Sequence, residues 1–137
     1  MVATFSLHYV VSGEGTPLLL LHGNGEDHTW FAALIPRLSQ YYRVFAVDTR
    51  GHGLSARGTA PFTLSQFADD LRALLDMLCI PIADILGYSD GGNIALLFAL
   101  RYPDRVRRMI LCGANLRPSG LTGSALLTID VQYLGYA

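Results

Sequence analysis

The chain contains no lysine; all ten of its basic residues are arginine. A Schiff-base lysine, a Ser–Lys dyad and a P-loop lysine are therefore excluded. Histidine is absent after His52, so the whole stretch downstream lacks an imidazole. Charge of either sign is scarce: charged residues make up 15% of the chain and the net charge is −1. The arginines are scattered, and no basic stripe points to nucleic acid or an anionic membrane surface. No run of 18 apolar residues occurs, and the longest stretches, such as residues 94–100, are too short to span a bilayer. Two cysteines, Cys79 and Cys112, are too few for a disulfide framework. Both sit among apolar residues and read as buried free thiols of a reducing compartment. The N-terminus lacks a charged segment followed by an apolar one, so no signal peptide is expected and a cytoplasmic location follows.

What the chain does have is apolar mass. Its 137 residues suit one domain, 51% are hydrophobic, and the mean hydropathy is +0.34. A sheet buried on both faces produces such a composition. Strand-like and helix-like patterns alternate along it. Residues 5–11 alternate as a strand, and residues 18–21 form a short apolar run stopped by His22-Gly23. Residues 29–38 read as helical, limited by Pro36. Residues 43–47 form a second buried strand ending at Asp48. Thr63 or Ser65 caps a helix whose apolar positions run from Leu64 through Phe67, Leu71 and Leu75 to Leu78. Residues 82–86 form a third strand, 91–102 a helix apolar nearly all round, and 106–112 a fourth strand. The expected fold class is α/β, a mostly parallel sheet with flanking helices and right-handed crossovers. Beyond Gly113 the pattern changes. Residues 115–123 are turn-rich, and residues 124–136 are apolar without a clear period, compatible with a helix. The expected division is a core over residues 1–113 and an incomplete cap or lid segment over 114–137.

Three motifs carry chemistry. Gly87-Tyr88-Ser89-Asp90-Gly91 follows a predicted strand and opens a predicted helix. A serine on a tight strand-to-helix bend needs strained backbone angles, and small residues two positions before and after it avoid collisions. The bend lifts the hydroxyl out at a helix N-terminus, where free amides and the dipole favour developing negative charge. His22-Gly23-Asn24-Gly25 leaves another strand as a loop without bulky side chains, able to aim a main-chain N–H at a substrate oxygen. Asn24 and Asp90 N–H groups are the candidate oxyanion pair, with His22, Gly23, Gly87 and Gly91 in support. Asp48-Thr49-Arg50-Gly51-His52-Gly53-Leu54-Ser55 leaves a third strand.

In this order and context the three motifs resemble the α/β-hydrolase superfamily, in its lysophospholipase-, esterase- and haloperoxidase-like branch. The resemblance runs from about Phe5 to Cys112. It implies that Ser89 is the catalytic nucleophile, and that the loop from Asp48 to Ser55 is architectural, with Asp48, Arg50 and His52 structural. Asp90 reads as a helix N-terminal acid and is badly placed to orient a histidine. In this fold the acid and the histidine follow the serine. Here the only downstream acids are Asp90, Asp104 and Asp130, and no histidine follows. His28 is the upstream histidine best placed to substitute, but it lies on the oxyanion side. Relatives of this family are about twice as long, so the chain is expected to be a piece of a longer protein and nearly inactive alone.

The resulting expectation is a serine hydrolase acting on an ester, thioester or related acyl bond of a small-molecule substrate, without metal or cofactor. The other reading is a non-catalytic binding domain of the same fold. A nucleotide-binding domain is disfavoured because no Gly-x-Gly-x-x-Gly turn follows the first strand. Truncation is also expected to leave the fourth strand as a bare sheet edge prone to self-association.

Overall fold

The computed structural model describes residues 5–114 and, for the main chain, residues 126–130. Six strands form one sheet in the order β1-β3-β2-β4-β5-β6. They are β1 (Tyr9–Ser12), β2 (Thr16–Leu21), β3 (Tyr42–Val47), β4 (Ala83–Tyr88), β5 (Val106–Cys112) and β6 (Leu126–Asp130). The β3-β2-β4-β5 centre is parallel, while β1 on β3 and β6 on β5 are antiparallel. The helices are α1 (Ile35–Leu38), α2 (Leu64–Met77) and α3 (Asp90–Arg101).

Side chains alternate across the strands, so each central strand feeds two cores. Leu19, Leu21, Phe45, Val47, Ile85, Met109 and Leu111 face α2 and α3 and pack with Phe67, Leu71, Leu75, Ile94 and Phe98. Leu18, Leu20, Val44 and Ala46 face the other way, onto Phe31, with Ile35 and Leu38 beside it. Burying each such aliphatic or aromatic side chain contributes about 1.5–3 kcal/mol. This two-sided burial explains the continuous apolar runs. Thr63 caps α2 by accepting from the Gln66 N–H. Losing such a cap costs about 1 kcal/mol.

The chain leaves β2 toward the α1 face and β4 toward the α3 face. The direction of strand addition reverses here, since β3 lies on one side of β2 and β4 on the other. Loops leaving adjacent strands toward opposite faces open a crevice at their C-terminal ends, where ligands of open α/β sheets bind. Leu21 at the end of β2 pairs with Gly87 of β4, so both motif loops emerge at this crevice.

Several expectations need correction. The first strand is shorter than residues 5–11, spanning only Tyr9–Ser12. The segment 29–38 is not one helix but a 3₁₀ turn, His28–Phe31, followed by the single-turn α1. Pro36 lies in the first turn of α1, where its missing N–H has no partner to lose, so it begins the helix rather than limiting its end. Cys79 is exposed and Cys112 only partly buried; both are free. Cys79 follows the end of α2 with φ +56°, a backbone reversal that turns it away from the core. The apolar stretch after residue 124 is a strand over Leu126–Asp130, not a helix. It pairs with all of Arg108–Cys112, so β5 is not the bare edge expected: hydrogen-bonding the open side of a nearly continuous apolar strand satisfies its main chain. The turn-rich segment 115–123 lies outside the described residues.

Candidate active site

Ser89 stands between β4 and α3 with φ +54° and ψ −116°, a conformation L-residues rarely adopt. Such backbone strain costs of order 1–3 kcal/mol and persists only where the surroundings over-determine it. Here they do. The Ser89 N–H donates to the Cys112 carbonyl at 2.7 Å, and its carbonyl accepts from Gly92 N–H at 2.9 Å and Asn93 N–H at 3.2 Å. The flanking glycines are required by contact. A Cβ on Gly87 would stand 2.5 Å from the Gly91 carbonyl oxygen. One on Gly91 would strike the Leu21 carbonyl oxygen and reach 2.7 Å from that of His22. The bend therefore presses main chain against main chain at the end of β2.

Gly23 meets Ser89 from the other side: a Cβ built on it would lie 3.4 Å from the Ser89 Cβ. The loop folds on itself, with Glu26 N–H donating to the Gly23 carbonyl at 3.2 Å and the Gly23 N–H donating to Glu26 Oε1 at 3.1 Å. Asn24 is exposed at the tip of that turn. Among the described residues, the main-chain N–H groups of Asn24 and Asp90 donate to no acceptor, and the Ser89 hydroxyl has no hydrogen-bond partner. The Asp90 amide and the half-buried Ser89 hydroxyl are adjacent in the chain, with Gly23 packed against Ser89, and a free main-chain donor beside a hydroxyl is what oxyanion binding requires. The Asp90 side chain is engaged by Asn93 Nδ2 at 3.4 Å.

A second tier holds the loop in place. His22 is buried, its Nδ1 lying 2.7 Å from the Gly23 carbonyl and its Nε2 accepting from Thr49 N–H at 3.1 Å. A main-chain amide only donates, so Nε2 carries the lone pair and Nδ1 the proton. Burial lowers the His22 pKa and outweighs the opposing bond to Gly23, so the ring is held neutral. His52 repeats the pattern: Nε2 accepts from Gly25 N–H at 3.1 Å, and Nδ1 faces the Arg50 carbonyl at 3.0 Å. Asp48 is the hub. Its Oδ1 accepts from the main chain and Nδ1 of His28, at 2.7 and 2.8 Å, and its Oδ2 from His8 Nδ1 at 2.8 Å and Leu54 N–H at 3.0 Å. Burial pushes this carboxyl up, but the Leu54 and His28 amides and both imidazoles outweigh it and hold it at about 2. Arg50 is locked by a bidentate pair with Asp70, at 2.8 Å on each arm, and lies over the Phe5 ring.

The structure thus brings together Ser89, Asp90, Gly87, Gly91, Gly23 and the main chain of His22, with Asn24 next to Gly23 in the adjoining turn. Among the described residues it brings no imidazole to Ser89: His8 and His28 are committed to Asp48, and His22 and His52 brace the loop. Sequence reasoning missed three neighbours. Glu26 occupies the Gly23 amide, Trp30 stacks on Tyr88 with centroids 4.9 Å apart, and His8 shares Asp48 with His28. None carries a motif.

Comparison with known proteins places this geometry. The profile of the family described as alpha/beta hydrolase fold matches residues 16–137. The chain is 41% identical over 107 residues to a 2-hydroxymuconate semialdehyde hydrolase of Pseudomonas sp. strain CF600, covering 75% of this chain and 38% of that protein. It is 40% identical over 114 residues to a pimeloyl-[acyl-carrier protein] methyl ester esterase of Neisseria meningitidis, covering 78% and 42% respectively. A thermophilic esterase from Thermogutta terrifontis superposes with a TM-score of 0.78 at 36% identity, over 82% of this chain and 42% of that one. The chain spans 31–42% of the length of the curated relatives it matches. No helix among the described residues is long and apolar enough to cross a membrane.

Proposed function

The chain belongs to the α/β-hydrolase fold family, and from that premise we propose that it carries the nucleophile and oxyanion half of a serine hydrolase acting on an ester, thioester or related acyl bond. The observation that supports this most directly is the forced backbone of Ser89, φ +54°, with the Asp90 amide next to it donating to no acceptor among the described residues. The Ser89 Oγ attacks the acyl carbon, and the carbonyl oxygen becomes an oxyanion accepting from Asn24 and Asp90 N–H. Collapse expels the alcohol or thiol and leaves an acyl-Ser89, which water then cleaves. Each oxyanion donor of this kind is worth about 10²–10³ in turnover.

The serine proton needs a base, and all four imidazoles are engaged elsewhere. Oxyanion stabilisation and binding without the base leave roughly 10³–10⁴-fold over water. The 137-residue chain is therefore nearly inactive by itself. The relatives include a 2-hydroxymuconate semialdehyde hydrolase as well as a methyl ester esterase, so the proposal for the bond cleaved extends no further than the class of acyl bonds.

The test is labelling by a fluorophosphonate probe with free imidazole added as the missing base. Slow stoichiometric labelling at Ser89, accelerated by imidazole and abolished by Ser89→Ala, is expected. If imidazole leaves the chain unlabelled, or Ser89→Ala labels equally, the elbow is not catalytic. The domain then reads as a non-catalytic binding member of the fold.

A further inference from the structure

We propose that His8, His28 and Asp48 form a binding site for one zinc-class divalent cation, which clamps the loop carrying Asn24 to the sheet. These three are the group of metal-ligating side chains that converge among the described residues, each offering one atom, all within 4.8 Å of one another. They come from three separate parts of the fold: the entry to β1, the 3₁₀ turn after the crevice loop, and the exit of β3. The cluster is not in contact with Ser89, and the hydrolase reading makes no use of it as a metal centre.

The chemistry follows from what each atom already does. Asp48 has no exposed side-chain surface, and each of its carboxylate oxygens accepts a main-chain N–H, from His28 and from Leu54. Both imidazoles therefore donate Nδ1–H to it, at 2.8 Å each. Their Nε2 atoms have no partner among the described residues, and the side chains are 31% and 21% exposed for His8 and His28. When the cation enters, each neutral ring moves its proton from Nδ1 to Nε2, where water accepts the new N–H. The two freed Nδ1 lone pairs and a carboxylate oxygen become ligands, with water in the fourth position. No net proton is released from a neutral ring, and one is released from a protonated ring. The carboxylate keeps its Leu54 and His28 amide bonds, which hold its orientation as outer partners of metal ligands do.

The dimensions allow it. A tetrahedral ion with bonds of about 2.0–2.1 Å holds its donors roughly 3.3 Å apart. The contact between the ligating oxygen and its own imidazole opens by about half an ångström, while the other imidazole nitrogen closes on that oxygen and on its fellow nitrogen by at most about 1.5 Å. Rotation of two partly exposed rings supplies movements of that size. Two imidazoles and one carboxylate favour zinc, nickel or copper over magnesium or calcium, which take all-oxygen shells.

The test uses the full chain without an affinity tag, stripped with chelator and titrated with Zn²⁺ by calorimetry and with Co²⁺ by absorption. One ion per chain, tetrahedral Co²⁺ bands and a raised melting temperature are expected. His8→Asn and His28→Asn retain an N–H donor for Asp48 but lose the imidazole lone pair. Each should weaken Zn²⁺ binding by about tenfold or more while keeping the metal-free fold, as checked by circular dichroism in chelator. Cys79→Ser should bind as the parent does. Absence of stoichiometric uptake overturns the proposal, as does uptake that survives both asparagine variants or disappears in Cys79→Ser.

Discussion

Two loops leave the C-terminal edge of the same sheet, and they treat their polar groups in opposite ways. In the loop from Asp48 to Ser55, each carboxylate oxygen of Asp48 accepts two bonds, the Ser55 hydroxyl bonds the Asp48 carbonyl at 2.6 Å, and each side-chain nitrogen of Arg50 donates to Asp70 or to the Arg57 carbonyl. At the Ser89 bend the backbone is forced, the hydroxyl has no partner among the described residues, and two amides stand open. Satisfied polar groups in a low-dielectric setting rigidify a structure, whereas unsatisfied ones represent interaction still to be made. On the proposed reading the difference separates architecture from chemistry, even though both loops are glycine-rich and motif-like in sequence.

The comparison breaks most severely at Asp48. Asp48→Ala leaves two partly exposed imidazoles and two main-chain N–H groups without their acceptor, so unfolding in urea should register a loss of about 3 kcal/mol. A loss below about 1 kcal/mol would mean that the network is not the brace described. Gly91→Ala comes next. The added methyl meets the main chain of β2, which cannot yield as a flexible side chain would, and should cost about 2–3 kcal/mol by the same measurement.

Acid then sharpens the contrast. The Asp48 carboxyl lies at about 2 in the folded chain against 3.8 in the unfolded one. The unfolded state binds its proton first as pH falls, so this contribution is complete above about pH 4 and lost through about pH 2. It amounts to about 2 kcal/mol. Urea midpoints from pH 5 to 2 should fall more steeply for the parent than for Asp48→Asn, which has no such group; parallel curves would contradict the assignment. His22 works in the same direction at higher pH. Its folded pKa is lowered, so its contribution is present above 6.5 and declines as pH falls below that value. The smallest effect belongs to the bend. Ser89→Gly relieves the positive φ and should stabilise by about 1 kcal/mol or less, while destroying probe labelling. A destabilised Ser89→Gly would show that the serine is structural after all.

Much of this was legible in the chain. The elbow announced itself because small residues at 87 and 91 have one demanding use between a strand and a helix. Thr63 or Ser65 marked the start of α2, with Thr63 the cap in the structure, and the apolar runs marked the parallel centre. Other features depend on partners far away in sequence. His8 reaches Asp48 because β1 pairs antiparallel with β3, Tyr9 opposite Val47, which sets His8 beside Asp48 one step further out. Nothing local specifies that register. Trp30 was passed over for the same reason, since its ring stacks on the distant Tyr88. Glu26 bonds Gly23 only three residues away but belongs to no motif. The exposure of Cys79 and the strand at 126–130 were also missed, the latter because its apolar pattern fits a strand or a helix equally well.

The sequence by itself determined the fold class and the position of the serine, because period, glycine placement and strand-to-helix order are local properties of the chain. Tertiary structure alone decided which polar groups are satisfied and which remain open. Hydrogen bonding across 20 to 40 residues depends on strand order and register, and those are set by how the two apolar faces of the sheet are buried together.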